Sequence, residues 1–237
     1  MKVLITGGSR GIGRACVEYF SSLGHQIAFV YKQSHDNAKE ISEMCGAIAI
    51  CADISDSGSA KAAVYAASHK LGGIDVLINN VGISQIKLFS DITDDDWQTM
   101  INTNLSSAFY ITREASKLMV AQKSGRIINI GSMWGKTGAS CEVHYSATKA
   151  AIRGMTMSLA KELGPSNITV NCIEPGVIAT EMNASLSEET VSELIDSTPL
   201  CRLGDPKEVA ALAEFLSSDK AGFITGQVIG IDGGFAI

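Results

Sequence analysis

Tyr145 and Lys149 stand four residues apart in Tyr145-Ser-Ala-Thr-Lys149. On a helix that spacing places them one turn apart on the same face and brings an ammonium toward a phenol. A free phenol has a pKa of about 10 and is mostly a spectator near neutrality, whereas a neighbouring positive charge favours the phenolate and makes proton transfer workable. The pair is a candidate proton-delivery unit. Taken alone, a surface helix carrying Tyr and Lys by chance explains it as well, so its meaning depends on what else gathers round it.

A second candidate lies near the start, in Thr6-Gly7-Gly8-Ser9-Arg10-Gly11-Ile12-Gly13. Gly7, Gly11 and Gly13 form G-x-x-x-G-x-G, with Ser9, Arg10 and Ile12 between them; the commonest dinucleotide fingerprint is G-x-G-x-x-G. The mechanics are shared. Glycine permits backbone turns closed to other residues, and its missing β-carbon lets a pyrophosphate approach a helix N-terminus, where free N–H groups and the dipole favour anions. At the end of the next strand an acid would select NAD by bonding the ribose 2′-hydroxyl. That place reads Tyr31-Lys32-Gln33-Ser34, without an acid. Lys32 and Ser34, with Arg10, are suited to a 2′-phosphate, so NADP(H) is expected over NAD(H). The alternative is that Lys32 and Arg10 are only solvated surface charges.

These groups need elements to position them. Lys2 to Thr6 is a short apolar run before the glycine turn, and a helical pattern then reaches Leu23. Strands are expected at 26–31, 47–51, 75–79, 126–130 and 168–173, alternating with helices at 36–45, 55–70, 94–120 (long or broken) and 143–163. Nearly unbroken apolar strands alternating with helices imply an α/β, Rossmann-type doubly wound parallel sheet with helices on both faces. Only residues 174–206 break the rhythm, either as a substrate lid or as an ordinary pair of surface helices. One domain over 1–237 is expected.

At 46% hydrophobic, 19% charged and 6% aromatic, with 23 glycines, the composition suits a core with many tight strand-helix junctions. A net charge of −6 disfavours nucleic acid and anionic membrane surfaces as partners. The six cysteines show no C-x-x-C spacing and the four histidines are dispersed, so reduced thiols and no metal centre are expected. No leader precedes the strand at Lys2, and no apolar run reaches the roughly 18 to 20 residues of a membrane span, so the expected location is cytoplasmic.

With the glycine loop, Asn79-Asn-Val-Gly82, Ser132 and Tyr145-x-x-x-Lys149 in this order, the sequence resembles the short-chain dehydrogenase/reductase family. Asp53-Ile54, Asn104 and Pro175-Gly176 followed by Thr180 extend the likeness over nearly the whole chain. The resemblance implies that Tyr145 donates a proton to a carbonyl oxygen that Ser132 polarises. It implies that Lys149 lowers the tyrosine pKa and holds the nicotinamide ribose, and that Asn104 fixes a water linking Lys149 to solvent. Asp53 and Ile54 would contact the adenine, Asn79 and Gly82 the middle of the cofactor. Pro175 and Gly176 would also bind the cofactor, with Thr180 and the backbone near Ile178 holding its carboxamide. Blander roles exist for several: Ser132 ending a strand, Asn104 at a helix kink, Asp53 as a cap.

Val81 replaces the alanine usual in the Asn-Asn-Ala-Gly motif, a small change in bulk. The loop from Gly131 to His144 would form part of a substrate wall, with Trp134 and Glu142 as substrate contacts and Cys141 and His144 read as loop packing. Overall the chain looks like the 3-oxoacyl-[acyl-carrier-protein] reductase branch, through Asn104 to Ser107, Gly125 to Ile128, Arg202 to Gly204 and Ile224 to Gly226. Its loop from Trp134 to Val143 is similar to that of elongation factor P 5-aminopentanone reductases. Another secondary-alcohol dehydrogenase, or a non-catalytic dinucleotide sensor, are the remaining readings. The resemblance also implies a homotetramer or homodimer built through residues 94–120 and 143–163, acting on a small or carrier-bound ketone.

Overall fold

The computed structural model describes residues 1–183 and 186–237, with the side chain of Met182 also outside the description. Seven strands form one parallel sheet: β1 (Lys2–Thr6), β2 (Gln26–Tyr31), β3 (Ile48–Cys51), β4 (Val76–Asn79), β5 (Gly125–Ile130), β6 (Ile168–Pro175) and β7 (Val228–Ile231). Their order is β3-β2-β1-β4-β5-β6-β7, so the winding reverses between β1 and β4. The helices are α1 (Gly11–Ser22), α2 (His35–Cys45), α3 (Ser57–Leu71), α4 (Asp94–Ile101), α5 (Ser107–Gln122), α6 (Trp134–Thr137), α7 (Val143–Leu163), α8 (Glu188–Asp196) and α9 (Pro206–Ser217). No helix among the described residues is long and apolar enough to cross a membrane.

Alternation along β1 divides the core. Val3 and Ile5 face a cluster with Phe20, Phe29, Val209 and Leu216, under α1 and α9. Leu4 faces the opposite cluster with Val64, Ile111, Met119 and Ala160, under α3, α5 and α7. Both faces of the sheet are therefore covered, as parallel strands require. Phe20 and Phe29 are fully buried, each worth about 1.5–3 kcal/mol relative to exposure.

β7 and α9 were not anticipated. Of the long or broken helix expected over 94–120, the broken form is found: α4 and α5 are joined by a π-helical turn over Asn102–Ser106 that carries Asn104. Glu174 and Pro175 belong to β6, so the irregular segment begins at Gly176, and a parallel bridge between Ile178 and Gly204 pins its two ends together. Residues 184 and 185 of that segment lie outside the described residues.

Candidate active site

Where the winding reverses, the carboxyl ends of β1 and β4 leave the crevice in which doubly wound folds take ligands. A cleft of about 500 Å³ lies there. It is lined by Gly7, Ser9, Arg10, Gly11 and Ile12 of the glycine loop, by Asn80, Val81 and Gly82 after β4, and by Lys32, Ser34, Asp53 and Ile54 after β2 and β3. These residues fit a dinucleotide. Gly7 and Gly11 have positive φ, 69° and 52°, and a β-carbon at Gly13 would stand 2.1 Å from the Gly7 carbonyl oxygen. α1 starts without a side-chain cap or an acid in its first turn, which leaves its N–H groups free for an anion.

The loop is held from β4. Asn80 donates through Nδ2 to the carbonyls of Thr6, at 3.1 Å, and Gly7, at 3.2 Å, while its N–H donates to Thr6 Oγ1 at 2.9 Å. Asn79 is turned the other way, which corrects its expected place along the cofactor. Its Nδ2 donates to Thr112 Oγ1 and to Asn129 Oδ1, both at 2.8 Å, and Asn129 in turn donates to Thr156 Oγ1 at 2.9 Å. Strand alternation explains the difference: Asn79 shares a face with Leu77, toward α5 and α7. It ties α7 to the sheet, and Asn80 takes the cleft.

Lys32 Nζ lies 2.7 Å from Asp53 Oδ2, with both side chains about half exposed. Asp53 also accepts from the N–H and hydroxyl of Ser55, while Asp56 caps α3, so the expected capping role belongs to Asp56. Ser34 precedes α2 without capping it.

At the far end of the crevice α7 presents Tyr145 and Lys149, both buried, opposite Ser132, which follows β5. Gly131 N–H donates to the Ile173 carbonyl and Met133 N–H to that of Pro175, which fix the serine loop against β6. A β-carbon at Gly135 would lie 2.8 Å from the Lys149 carbonyl carbon, so glycine lets α6 close on α7 at the lysine. Lys149 Nζ donates to the Ile130 carbonyl at 2.9 Å and lies 5.6 Å from the Tyr145 ring centroid. A β-carbon at Gly82 would be 3.4 Å from Lys149 Nζ and 3.6 Å from Asn104 Oδ1, so these three residues converge. The Asn104 side chain, one hundredth exposed, accepts from Ile83 N–H at 2.8 Å and donates to the Ile83 carbonyl at 2.9 Å.

Burial dominates the electrostatics of the pair. Burial pushes the Tyr145 phenol up to about 12; the neighbouring Ser132 hydroxyl pulls it down and the Glu142 carboxylate pushes it further up. Burial pulls Lys149 down to about 8. Burial thus moves both groups toward their neutral forms, with the Lys149 amine on the Ile130 carbonyl.

The remaining expected residues are more scattered. Pro175 accepts from Met133, and Gly176 packs on Asp232 too closely for a β-carbon, 2.7 Å from its Cα. Ile178 is buried, and Thr180 lies against Gly11 in the lining of the cleft. Trp134 sits edge-on against Phe235 with ring centroids 5.5 Å apart, so its ring packs on the C-terminal segment. Glu142 is half-buried before the first turn of α7, its carboxylate without a hydrogen-bond or ion-pair partner among the described residues, and burial raises its pKa. Asn80 was missed. Its place beside Asn79 was the signal, and the strand register decides between them.

A phenol kept protonated next to a dinucleotide cradle is the equipment of a hydride-transferring oxidoreductase, and that is the class this fold and site define. Known proteins narrow the class. A family model described as Enoyl-(Acyl carrier protein) reductase matches residues 7–236. A 3-oxoacyl-[acyl-carrier-protein] reductase of Staphylococcus aureus is 37% identical over 236 residues, covering 98% of this chain and 96% of the relative. An acetoacetyl-CoA reductase of Shinella zoogloeoides is 40% identical over 232 residues, with 98% and 96% covered. A mutant Serratia marcescens short-chain dehydrogenase/reductase superposes with a TM-score of 0.93 at 34% identity, covering 99% of this chain and 97% of the other. The chain belongs to the short-chain dehydrogenase/reductase family. It is an oxidoreductase of the CH–OH/C=O pair that uses a nicotinamide dinucleotide.

Proposed function

We propose that the protein is an NADP(H)-dependent ketone reductase acting on 3-oxoacyl thioesters, carried on an acyl carrier protein or coenzyme A, as part of fatty acid synthesis. The observation that carries the reading is the convergence of Tyr145, Ser132 and Lys149, with Lys149 Nζ beside Gly82 in the wall of a cleft that fits a dinucleotide. The bound cofactor supplies the hydride. Ser132 donates a hydrogen bond to the substrate oxygen and polarises the carbonyl. Tyr145, protonated well beyond neutral pH, gives its proton to that oxygen as negative charge develops. Lys149 would hold the ribose and stabilise the phenolate left behind; the proton that Tyr145 has given up is replaced from solvent by way of Asn104 and Lys149, which meet at Gly82. Arg10, Lys32 and Ser34 would hold the 2′-phosphate, and Asp53 and Ile54 would contact the adenine.

The described residues 176–183 and 186–206 act as a lid over the substrate, anchored where Ile178 bridges Gly204. The active species is a homotetramer or homodimer through α4, α5 and α7. That pairing is supported by Trp97, Phe109, Val120, Val143 and Met157, apolar yet exposed on those helices.

A second reading, reduction of an amine-bearing ketone such as the 5-aminopentanone on elongation factor P, is favoured by Glu142. A half-buried carboxylate beside the proton donor raises the donor's pKa unless a cation meets it. Steady-state oxidation of NADPH and of NADH with acetoacetyl-CoA, beside an amino-ketone and a neutral ketone of equal length, tests both. Turnover of acetoacetyl-CoA with NADPH preferred supports the first reading. A kcat/KM for the amino-ketone above that for the thioester, lost in Glu142→Gln, supports the second. Bound NADPH with turnover of none supports a sensor.

A further inference from the structure

His144, next to Tyr145 in the chain, is fully buried, and no step above uses it. Its Nε2 lies 2.9 Å from Gln85 Oε1, and Gln85 Nε2 donates to Asp96 Oδ1 at 2.9 Å. Asp96 is the N3 residue of the capping box that starts α4, and its other oxygen takes Lys87 Nζ at 2.6 Å and Thr93 N–H at 3.0 Å. A carboxylate only accepts, so the Gln85 amide must turn its NH2 to Asp96 and its oxygen to His144. His144 is then the Nε2–H tautomer. Its Nδ1 is buried without a partner, so a second proton there would be unpaired.

The glutamine belongs to the segment from Ile83 to Lys87, whose first residues line the cofactor cleft. That segment is tied at its start to Asn104 and at its end to the Cys141 carbonyl, which accepts from Lys87 N–H at 2.8 Å. The cleft wall, the start of α4 and the first turn of α7 are thus joined through one side chain.

We propose that His144 is a positioning residue, and that the Asp96–Gln85–His144 chain holds Tyr145 in register with the cofactor cleft. This rests on Tyr145 as the proton donor. Burial pulls the His144 pKa below its ordinary value, with Asp96 raising it and Lys87 lowering it, which keeps the ring neutral and the chain of donors fixed. Tyr145 needs such a fixture because α7 begins only two residues before it and Glu142 leaves that end uncapped.

Gln85→Leu and His144→Phe break the link from opposite ends, and His144→Gln restores a donor. Backbone hydrogen exchange of residues 143–148 should quicken by about tenfold in Gln85→Leu, although that residue lies on another segment. With acetoacetyl-CoA and NADPH, kcat should fall by roughly tenfold or more in each broken variant with the NADPH KM little changed. The double variant should lose no more than either single, and His144→Gln should recover most of the rate. Unchanged exchange at 143–148 in Gln85→Leu, or losses that multiply in the double variant, would overturn the proposal. A Tyr145→Phe control separates the two readings: if it keeps the wild-type rate, the donor assignment fails, and if it is inactive while His144→Phe is not, only the positioning role fails.

Discussion

Lys149 lies under the Tyr145 ring, its Nζ 5.6 Å from the ring centroid, while its hydrogen bond goes to the Ile130 carbonyl. Burial moves both groups toward their neutral forms, the phenol up to about 12 and the amine down to about 8. The tyrosine thus stays an acid over the range in which the lysine changes charge.

Reductive turnover should fall as pH rises through about 8, where Lys149 loses its proton and Tyr145 keeps its own. Stability should move the other way. The folded pKa of Lys149 lies below its ordinary 10.5, so between about 8 and 10.5 the unfolded chain binds the extra proton and unfolding becomes harder as pH rises. A pH-rate profile of wild type and Lys149→Met checks this; an alkaline limb near 8 that survives in Lys149→Met would contradict it.

Lys32→Glu places an acid at the end of β2 beside Asp53, 2.7 Å from the present ammonium. NADPH affinity should weaken by about tenfold or more, with NADH affinity held or improved, since a 2′-phosphate would meet two carboxylates. Cofactor titrations by protein fluorescence read this directly. Equal loss of both cofactors would mean that Lys32 serves the fold and not the phosphate.

Gly13→Ala puts a β-carbon 2.1 Å from the Gly7 carbonyl oxygen and 2.5 Å from Asn80 Nδ2. Both neighbours are fixed, the first by its backbone and the second by the loop bonds it makes, so destabilisation of about 1–3 kcal/mol with loss of cofactor binding is expected. Thermal unfolding and NADPH binding of this variant check it, with Gly46→Ala as a control for strain without a clash, since nothing lies within 4 Å of that glycine.

The parallel sheet was legible because strands such as Ile127 to Ile130 are continuously apolar and the intervening segments are helix-length. β7 was not: it has four residues, is half exposed at the sheet edge and is interrupted by Gly230. α9 carried a readable start in Asp205-Pro206-Lys207-Glu208, a capping box with proline at its first helical position, that went unread. In the site, the Tyr145 and Lys149 pair follows from spacing, while Ser132 comes from the family resemblance. The exchange of roles between Asn79 and Asn80 depends on strand register, and the Gln85 to His144 contact joins residues 59 apart, which no local pattern encodes.

The central claim is that Tyr145 gives the proton to a ketone reduced by NADPH. Single-turnover oxidation of enzyme-bound NADPH by acetoacetyl-CoA, wild type against Tyr145→Phe, tests it most directly. The expected result is a fall of about 10²–10⁴-fold in the rate with NADPH still bound. A Tyr145→Phe protein that oxidises NADPH at the wild-type rate would contradict it.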